Sequence, residues 1–308
     1  MNFSTARSYT YLSIAAALMT IALNTGAYFL TGSVGLLSDA LESGINLVAA
    51  LAAFWALSFA HAPADEDHPF GHNKAEYFSS GLESILIIIT AIGIAVVAWP
   101  RLFSPHPIEQ IGWGLFLSLI ATAINGGVAW ILLRAGRRLR SITLRTDGHH
   151  LLTDVWTSVG ITVGIFGVKL TGWLILDPLI ALIVAVSILF SGVRLLRETG
   201  AGLLDTALPN EERDRITSIF GIYEPQGIHF HALRTRVSGS RRFATFHVLV
   251  PGGLTVQQGH DLCEEVEEAI VHALPGTNVV SHMEPLEDPK SWADLELDRT
   301  FDPPTSFK

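Results

Sequence analysis

The chain has 308 residues, of which 49% are hydrophobic and only 16% charged, with a formal net charge of −9. Its mean hydropathy of +0.40 places it among membrane proteins and excludes an ordinary soluble domain. A single cysteine, Cys263, excludes an intrachain disulfide and a cysteine-built zinc site, so any metal must be held by His, Asp, Glu or amide oxygen. No basic patch with interleaved aromatics is present, which argues against a nucleic-acid partner.

The charge is unevenly spread. Residues 1–200 carry 11 Lys+Arg and 12 Asp+Glu, whereas 201–308 carry 9 and 17, so an apolar first part precedes an acidic soluble part. The first apolar run, Tyr9 to Leu30, is too long for the ~7–15-residue core of a secretion signal and reads as a membrane span. With ~20 apolar residues needed per crossing, six spans are expected near 9–31, 33–60, 79–101, 111–134, 148–170 and 175–197. An even number places both termini on one side. That side carries Arg7, Lys74, Arg134, Arg137, Arg138, Arg140, Arg145, Arg194 and Arg197, against Arg101 and Lys169 opposite. The positive-inside rule therefore makes both termini cytoplasmic. Short links at Thr31-Gly32-Ser33 and around Thr171-Gly172-Trp173 predict antiparallel helix pairs from spans 1 and 2 and from spans 5 and 6. Gly160, Gly164 and Gly167 suit close helix approach.

Spans 2 and 5 each carry a polar pair four residues apart, Glu42/Asn46 and His150/Asp154. Residues at this spacing share a helix face, so two such helices can aim four ligand atoms at one cation. Ionisable groups in a bilayer cost roughly 2.5–3.5 kcal/mol each on insertion scales, and a partner or bound ion must offset that cost. Asp39 and Asp147, three residues before each pair, are either supports for the ligands or helix-end residues facing water. Between spans 2 and 3, Asp65, His68 and His72 form a compact loop constellation with room for an open metal position, although a solvated polar loop needs no metal.

After the spans, Asn210 is expected to cap a helix with acids in its first turn. Strands follow at Ile228–Val237 and Arg242–Val250, turned at Ser238-Gly239-Ser240. Thr255 opens a second helix, and Asn278–Leu286 returns as a third strand. The order helix, strand, strand, helix, strand predicts a small α+β domain with helices on one face of a sheet. His231, His247, His260, His282 and Glu284 are spread along it, and His282 and Glu284, two apart on a strand, point the same way. Such a cluster suits one or two zinc-like ions. The tail from Asp288 is expected to be poorly ordered. The domains expected are thus a transport part over 1–206, a metal-binding dimerisation part over 207–287, and a flexible tail over 288–308.

Asp147-Gly148-His149-His150-Leu151-Leu152-Thr153-Asp154, the loop Asp67-His68-Pro69-Phe70-Gly71-His72-Asn73-Lys74-Ala75-Glu76 and Leu233-Arg234-Thr235-Arg236 together resemble the cation diffusion facilitator family of divalent-metal/proton antiporters. The loop and the last motif are most similar to its bacterial ferrous-iron/zinc efflux branch. The resemblance spans nearly everything from span 1 to about residue 287. It implies six transmembrane helices plus a C-terminal cytoplasmic α+β domain of metallochaperone (ferredoxin-like) type, in a homodimer in the bacterial inner membrane. It also implies a transport site at Glu42, Asn46, His150 and Asp154, a loop site at Asp65, His68 and His72, and a two-ion cytoplasmic site at His231, His247, His260, His282 and Glu284. Lys74 and Asp205 resemble the family's interlock between its two parts. One departure stands out: span 2 of this branch usually carries two aspartates, or His and Asp in zinc-selective relatives, where this chain has Glu42 and Asn46.

The function expected is export of a divalent transition metal (Zn, Fe, Co, Mn or Cd, with Zn2+ or Fe2+ first) in exchange for protons, without a prosthetic group. A membrane-anchored metal sensor is the rival, but it needs only the soluble cluster. A metalloenzyme has less support, because neither a His-Glu-x-x-His run nor a nucleophile-elbow motif is present.

Overall fold

The computed structural model describes residues 6–31, 34–104, 113–173 and 175–292; the side chains of Asp39 and Glu42 and the surroundings of Gly164 and Gly167 lie outside the described set. The chain divides into two compact units, Met1–Leu204 and Asp205–Lys308.

Among the described residues, the first unit has six long helices: α1 (Ala6–Thr31), α2 (Val34–Ala60), α3 (Ala75–Phe103), α4 (Trp113–Leu139), α5 (Ile142–Thr171) and α6 (Leu176–Leu203). The stretches Ala75–Phe103, Leu119–Leu139 and Pro178–Leu203 are, among the described residues, long and apolar enough to cross a membrane. Their packing is inverted relative to a soluble bundle. On α3, Ser79, Ser80, Glu83 and Ser84 are buried, while Ile85, Ile89, Val96 and Trp99 are exposed. Only an apolar surround lets such residues face outward in a continuous band, and this is the arrangement of a helical transmembrane domain.

As the short links predict, α1 lies against α2 and α5 against α6; α3 also packs along α6 and α4 along α5. A Cβ placed on Gly160 would come within 3.0 Å of Val184 Cγ2 on α6, so this glycine does permit close approach there. Two helices start earlier than their apolar runs, α3 at Ala75 and α5 at Ile142. Backbone hydrogen bonding continues through polar residues that a neighbouring helix covers, so the apolar window underestimates helix length. The α4–α5 corner turns at Arg140, whose φ is +55°. Beside it, Ser141 Oγ donates to Glu76 Oε2 at 2.6 Å.

The second unit contains α7 (Asn210–Tyr223), β1 (His229–Ser238), β2 (Arg241–Val250), α8 (Val256–Ala273) and β3 (Thr277–Pro285), in the expected order. The sheet runs β1-β2-β3, antiparallel between β1 and β2 and parallel between β2 and β3. Ala244, Phe246, Val248 and Val250 of β2 join Ile216 and Phe220 of α7 and Val266 and Ile270 of α8 in one core. Alternation along a strand then sends the odd-numbered β2 side chains to the opposite face. Pro209, not Asn210, occupies the cap of α7, and Asn210 Oδ1 instead accepts from the Arg213 guanidinium. Proline's fixed φ and missing N–H suit an entry into the helix without a side-chain cap. Thr255 does cap α8, in a reciprocal capping box with Gln258. The tail expected to be structureless from Asp288 forms a short 3-10 turn at Pro289–Trp292. It is fastened by Ser291 Oγ donating to Pro285 O at 2.8 Å and by the Trp292 indole N–H donating to Leu286 O at 3.0 Å.

Candidate metal centres

Three polar constellations are assembled by three different local devices. The first joins α2 and α5, two helices in contact, through side chains one turn apart on each. Asn46 is 5% exposed, His150 4% and Asp154 9%. Asn46 Nδ2 donates to Asp154 Oδ2 at 2.6 Å, and the Asn46 Oδ1 to His150 Nε2 distance is also 2.6 Å. An ionised carboxylate only accepts, so it orients the amide NH2 toward Asp154 and leaves Oδ1 for the imidazole. His150 must then donate from Nε2. Its Nδ1 is buried without a hydrogen-bond partner among the described residues. Three of the four residues expected from sequence are thus drawn together; Glu42, the fourth, lies outside the described side chains. Asp147 does not face water. It is 3% exposed and accepts from Ser13 Oγ of α1 at 3.2 Å. Asp39 lies outside the described side chains.

The second constellation closes within the α2–α3 loop. Asp65 Oδ1 takes the His68 amide at 2.7 Å and lies 3.0 Å from His68 Nδ1, while Oδ2 lies 3.2 Å from His72 Nε2. Gly71, with φ of +83°, makes the turn that folds His72 back over the loop. His72 is buried against Phe59, with ring centroids 4.5 Å apart, whereas Asp65 and His68 are half exposed. Slight desolvation pushes the Asp65 carboxyl up. The His68 amide and ring, and then His72, outweigh this and hold it below the usual carboxylate range. All three predicted residues converge, with ligand atoms within 4.8 Å of one another.

The third constellation uses strand register. His231 pairs with His247 across β1 and β2, and His247 pairs with His282 across β2 and β3, so the three stand in a row on the face away from α7 and α8. Glu284, two residues beyond His282, bridges them. Its Oε2 is 3.1 Å from His231 Nε2 and 3.2 Å from His247 Nδ1, and its Oε1 is 3.4 Å from His282 Nε2. A register irregularity between His231 and Arg234, with Ala232 at φ +50°, marks a bulge, a feature that re-aims neighbouring side chains. His231, His247 and Glu284 form the converging set; the His282 side chain is 64% exposed. His260 is exposed on α8, a helix on the covered face, and is not drawn into the set within one chain.

Imidazole and carboxylate donors are the chemistry of zinc-like and iron-like ions, and each converging trio leaves a coordination position open. The reading of the sequence overlooked Glu83, an acid inside span 3 that is 0% exposed. The rule that singled out spans 2 and 5, an ionisable group inside an apolar run, identifies it equally well. Lys74 Nζ donates to Leu203 O at 3.3 Å, and Asp205 accepts from Arg236 at 3.2 Å.

Residues 10–204 match the cation efflux transmembrane domain, and residues 208–286 match the cation efflux protein cytoplasmic domain. An uncharacterized transporter of Synechocystis, sll1263, is 58% identical over 292 residues, covering 95% of this chain and 94% of that protein. The cation-efflux pump FieF of Klebsiella pneumoniae is 34% identical over 289 residues, covering 92% and 95%. A solved structure of CzrB, a protein studied as a zinc transporter, is 38% identical over 25% of this chain and 96% of its own, with a TM-score of 0.24.

Proposed function

The chain belongs to the cation efflux, or cation diffusion facilitator, family of membrane transporters, and from that premise we propose that it exports a divalent transition metal from the cytoplasm in exchange for protons. The observation that carries this reading is the buried chain Asp154, Asn46, His150. These three groups hydrogen-bond to one another, and the Asn46–Asp154 bond must open for the carboxylate to turn to a metal. His150 surrenders its Nε2 hydrogen or offers Nδ1, and Asp154 exchanges an amide for the ion. Protonation of His150 or Asp154 competes with metal at the same atoms, which is the elementary form of antiport. Histidine suits this near neutral pH.

The substrate is zinc, ferrous iron, cobalt, manganese or cadmium. A site with Asn46 in place of a carboxylate carries less negative charge than the usual pair, and its mixed O/N donors do not by themselves favour zinc over iron. Asp65, His68 and His72 form a loop site near the membrane, and His231, His247, His282 and Glu284 form a cytoplasmic one that regulates the transporter as metal loads. The protein works as a homodimer joined through its cytoplasmic domain, in an inner membrane with both termini cytoplasmic. His260, exposed on α8, belongs to that assembled form of the site.

Reconstitution into proteoliposomes tests this. Each metal is offered separately while metal flux and proton flux are recorded together. Metal entry coupled to opposing proton movement, and lost in the double variant His150→Ala/Asp154→Ala, is the expected result. Flux that survives the double variant overturns the transport site, and metal flux without proton movement overturns antiport.

A further inference from the structure

The membrane unit contains two buried acids, on different helices, that the transport site does not use. Glu83 of α3 is 0% exposed and Asp147 of α5 is 3% exposed. Each carboxylate has one oxygen engaged by a serine of a helix: Ser79 Oγ donates to Glu83 Oε1 at 3.1 Å, and Ser13 Oγ donates to Asp147 Oδ1 at 3.2 Å. The other oxygen of each, Glu83 Oε2 and Asp147 Oδ2, is buried with no hydrogen-bond partner among the described residues. The two side chains interact electrostatically across α3 and α5, two helices in contact. Two bare carboxylate oxygens in an apolar interior constitute one of the costliest arrangements available to a protein.

Among the described residues, neither acid forms an ion pair. On α5, His150 lies one turn beyond Asp147 and is held by Asn46. On α6, Glu198 is committed to Arg145 at 2.9 Å and Arg194 at 3.3 Å. Thr199 Oγ1, also on α6, is buried without a partner. On α3 itself, Glu76 is held by Ser141. From α2, the titratable residues are Asp39 and Glu42, whose side chains lie outside the described ones. Among the described residues, no third His, Cys, Asp or Glu converges on the pair within ligating distance, so the donor set does not suit a divalent metal. A proton needs only one oxygen to bind, and a carboxyl that holds one escapes most of the cost of burying a charge, all the more with a second buried acid on the neighbouring helix.

We propose that Glu83, buried on a helix packed against that of Asp147, is a proton-holding site of the membrane domain, separate from the four-ligand site. Glu83 lies about 12 Å into α3 at 1.5 Å per residue, and Asp147 one turn before His150. A cation arriving at Asn46, His150 and Asp154 adds positive charge beside the pair and promotes release of its proton; by reciprocity, a proton on Glu83 weakens metal binding. Metal and proton then oppose one another without sharing ligand atoms. This coupling rests on the transport-site reading above, whereas the proton-holding site itself does not.

Infrared difference spectroscopy of the full-length protein in lipid bilayers tests the site directly. At neutral pH the wild type is expected to show the carbonyl band of a protonated, dry carboxyl that is missing in Glu83→Gln. Glutamine keeps the size of the side chain and an acceptor for Ser79. Superimposable wild-type and Glu83→Gln spectra in that region overturn the proposal. Should Glu83→Gln fail to assemble, Ser79→Ala takes its place: removing the donor to Oε1 is expected to shift the band, and an unmoved band overturns the proposal. Calorimetry of zinc binding in buffers of different ionisation enthalpy then counts protons, with Glu83→Gln expected to release about one fewer per metal. An equal count overturns the coupling. A Glu83 band in a protein that moves no metal sustains the proton site while removing the transport reading.

Discussion

The intramembrane and cytoplasmic constellations draw on the same donors, imidazole and carboxylate, yet they are organised in opposite ways. In the membrane unit, His150 and Asp154 are held apart by the Asn46 amide, which occupies both at 2.6 Å. In the cytoplasmic unit, three histidines surround one shared carboxylate, Glu284, at 3.1 to 3.4 Å. A site that must bind and release within a transport cycle benefits from ligands that can turn to one another as well as to an ion. A site that holds an ion as part of the structure benefits from ligands already converged, because less ordering is left for the ion to impose. The loop site falls between these: His72 is buried and fixed, while Asp65 and His68 remain half exposed.

The sharpest way to break the comparison is to remove a ligand of the proposed transport site. His150→Ala or Asp154→Ala removes a ligand atom outright and should weaken metal binding by more than the ~10–100-fold typical of losing a residue that only supports a ligand. Flux in proteoliposomes should fall to the background of empty vesicles. Next in size, Glu284→Gln removes the shared carboxylate and should weaken metal binding at the cytoplasmic site by about 10–100-fold. His260→Ala, outside the converged set, should cost less in the same calorimetric titration. Transport in Glu284→Gln should persist at reduced rate; complete loss would show that the two sites form one obligatory path.

Asn46→Asp sharpens the comparison by adding a carboxylate where the amide stands. It should raise affinity for divalent metal by about tenfold, a gain typical of one more charge-assisted ligand, and shift preference toward zinc in competition between zinc and ferrous iron. Zinc preference unchanged in both forms would relieve Asn46 of any part in selectivity. The smallest effect is expected at the loop. The Asp65 carboxyl titrates below its ordinary range when folded, so its contribution to holding the loop is fully present above that range. It is lost as pH falls through the lowered folded value. Loop order, followed by hydrogen exchange at the His68 and Gly71 amides, should therefore be constant near neutrality and decline only in acid, with Asp65→Asn showing the acid behaviour at all pH values. Transport by Asp65→Asn should change by no more than a few-fold.

Much of this architecture was legible because the bilayer imposes one-dimensional rules. Apolar length identified the helices, and i,i+4 spacing predicted that Asn46, His150 and Asp154 would meet. The loop trio was legible for a different reason: eight residues cannot separate Asp65 and His72 by much once Gly71 turns the chain. Strand alternation likewise placed His282 and Glu284 together. His260 shows the limit of such rules. Periodicity puts it on α8, but which face of the sheet α8 covers follows from the Phe246, Val266 and Ile270 core, and that core turns His260 away from the histidine row.

What the sequence determined by itself was therefore the inventory: a six-helix apolar part, a small α+β part, and ligand types at spacings that can converge. Tertiary structure decided which of those groups stand alone. It placed the Asn46 amide between His150 and Asp154, extended α5 so that Asp147 lies in the interior against Ser13, docked Trp292 where a loose tail was expected, and left Glu83 and Asp147 each with a bare oxygen. Spacing along a helix fixes only direction. Whether a charged group meets water, a donor or another acid depends on the helices packed around it, and that environment determines which buried carboxylates can hold a proton or a metal.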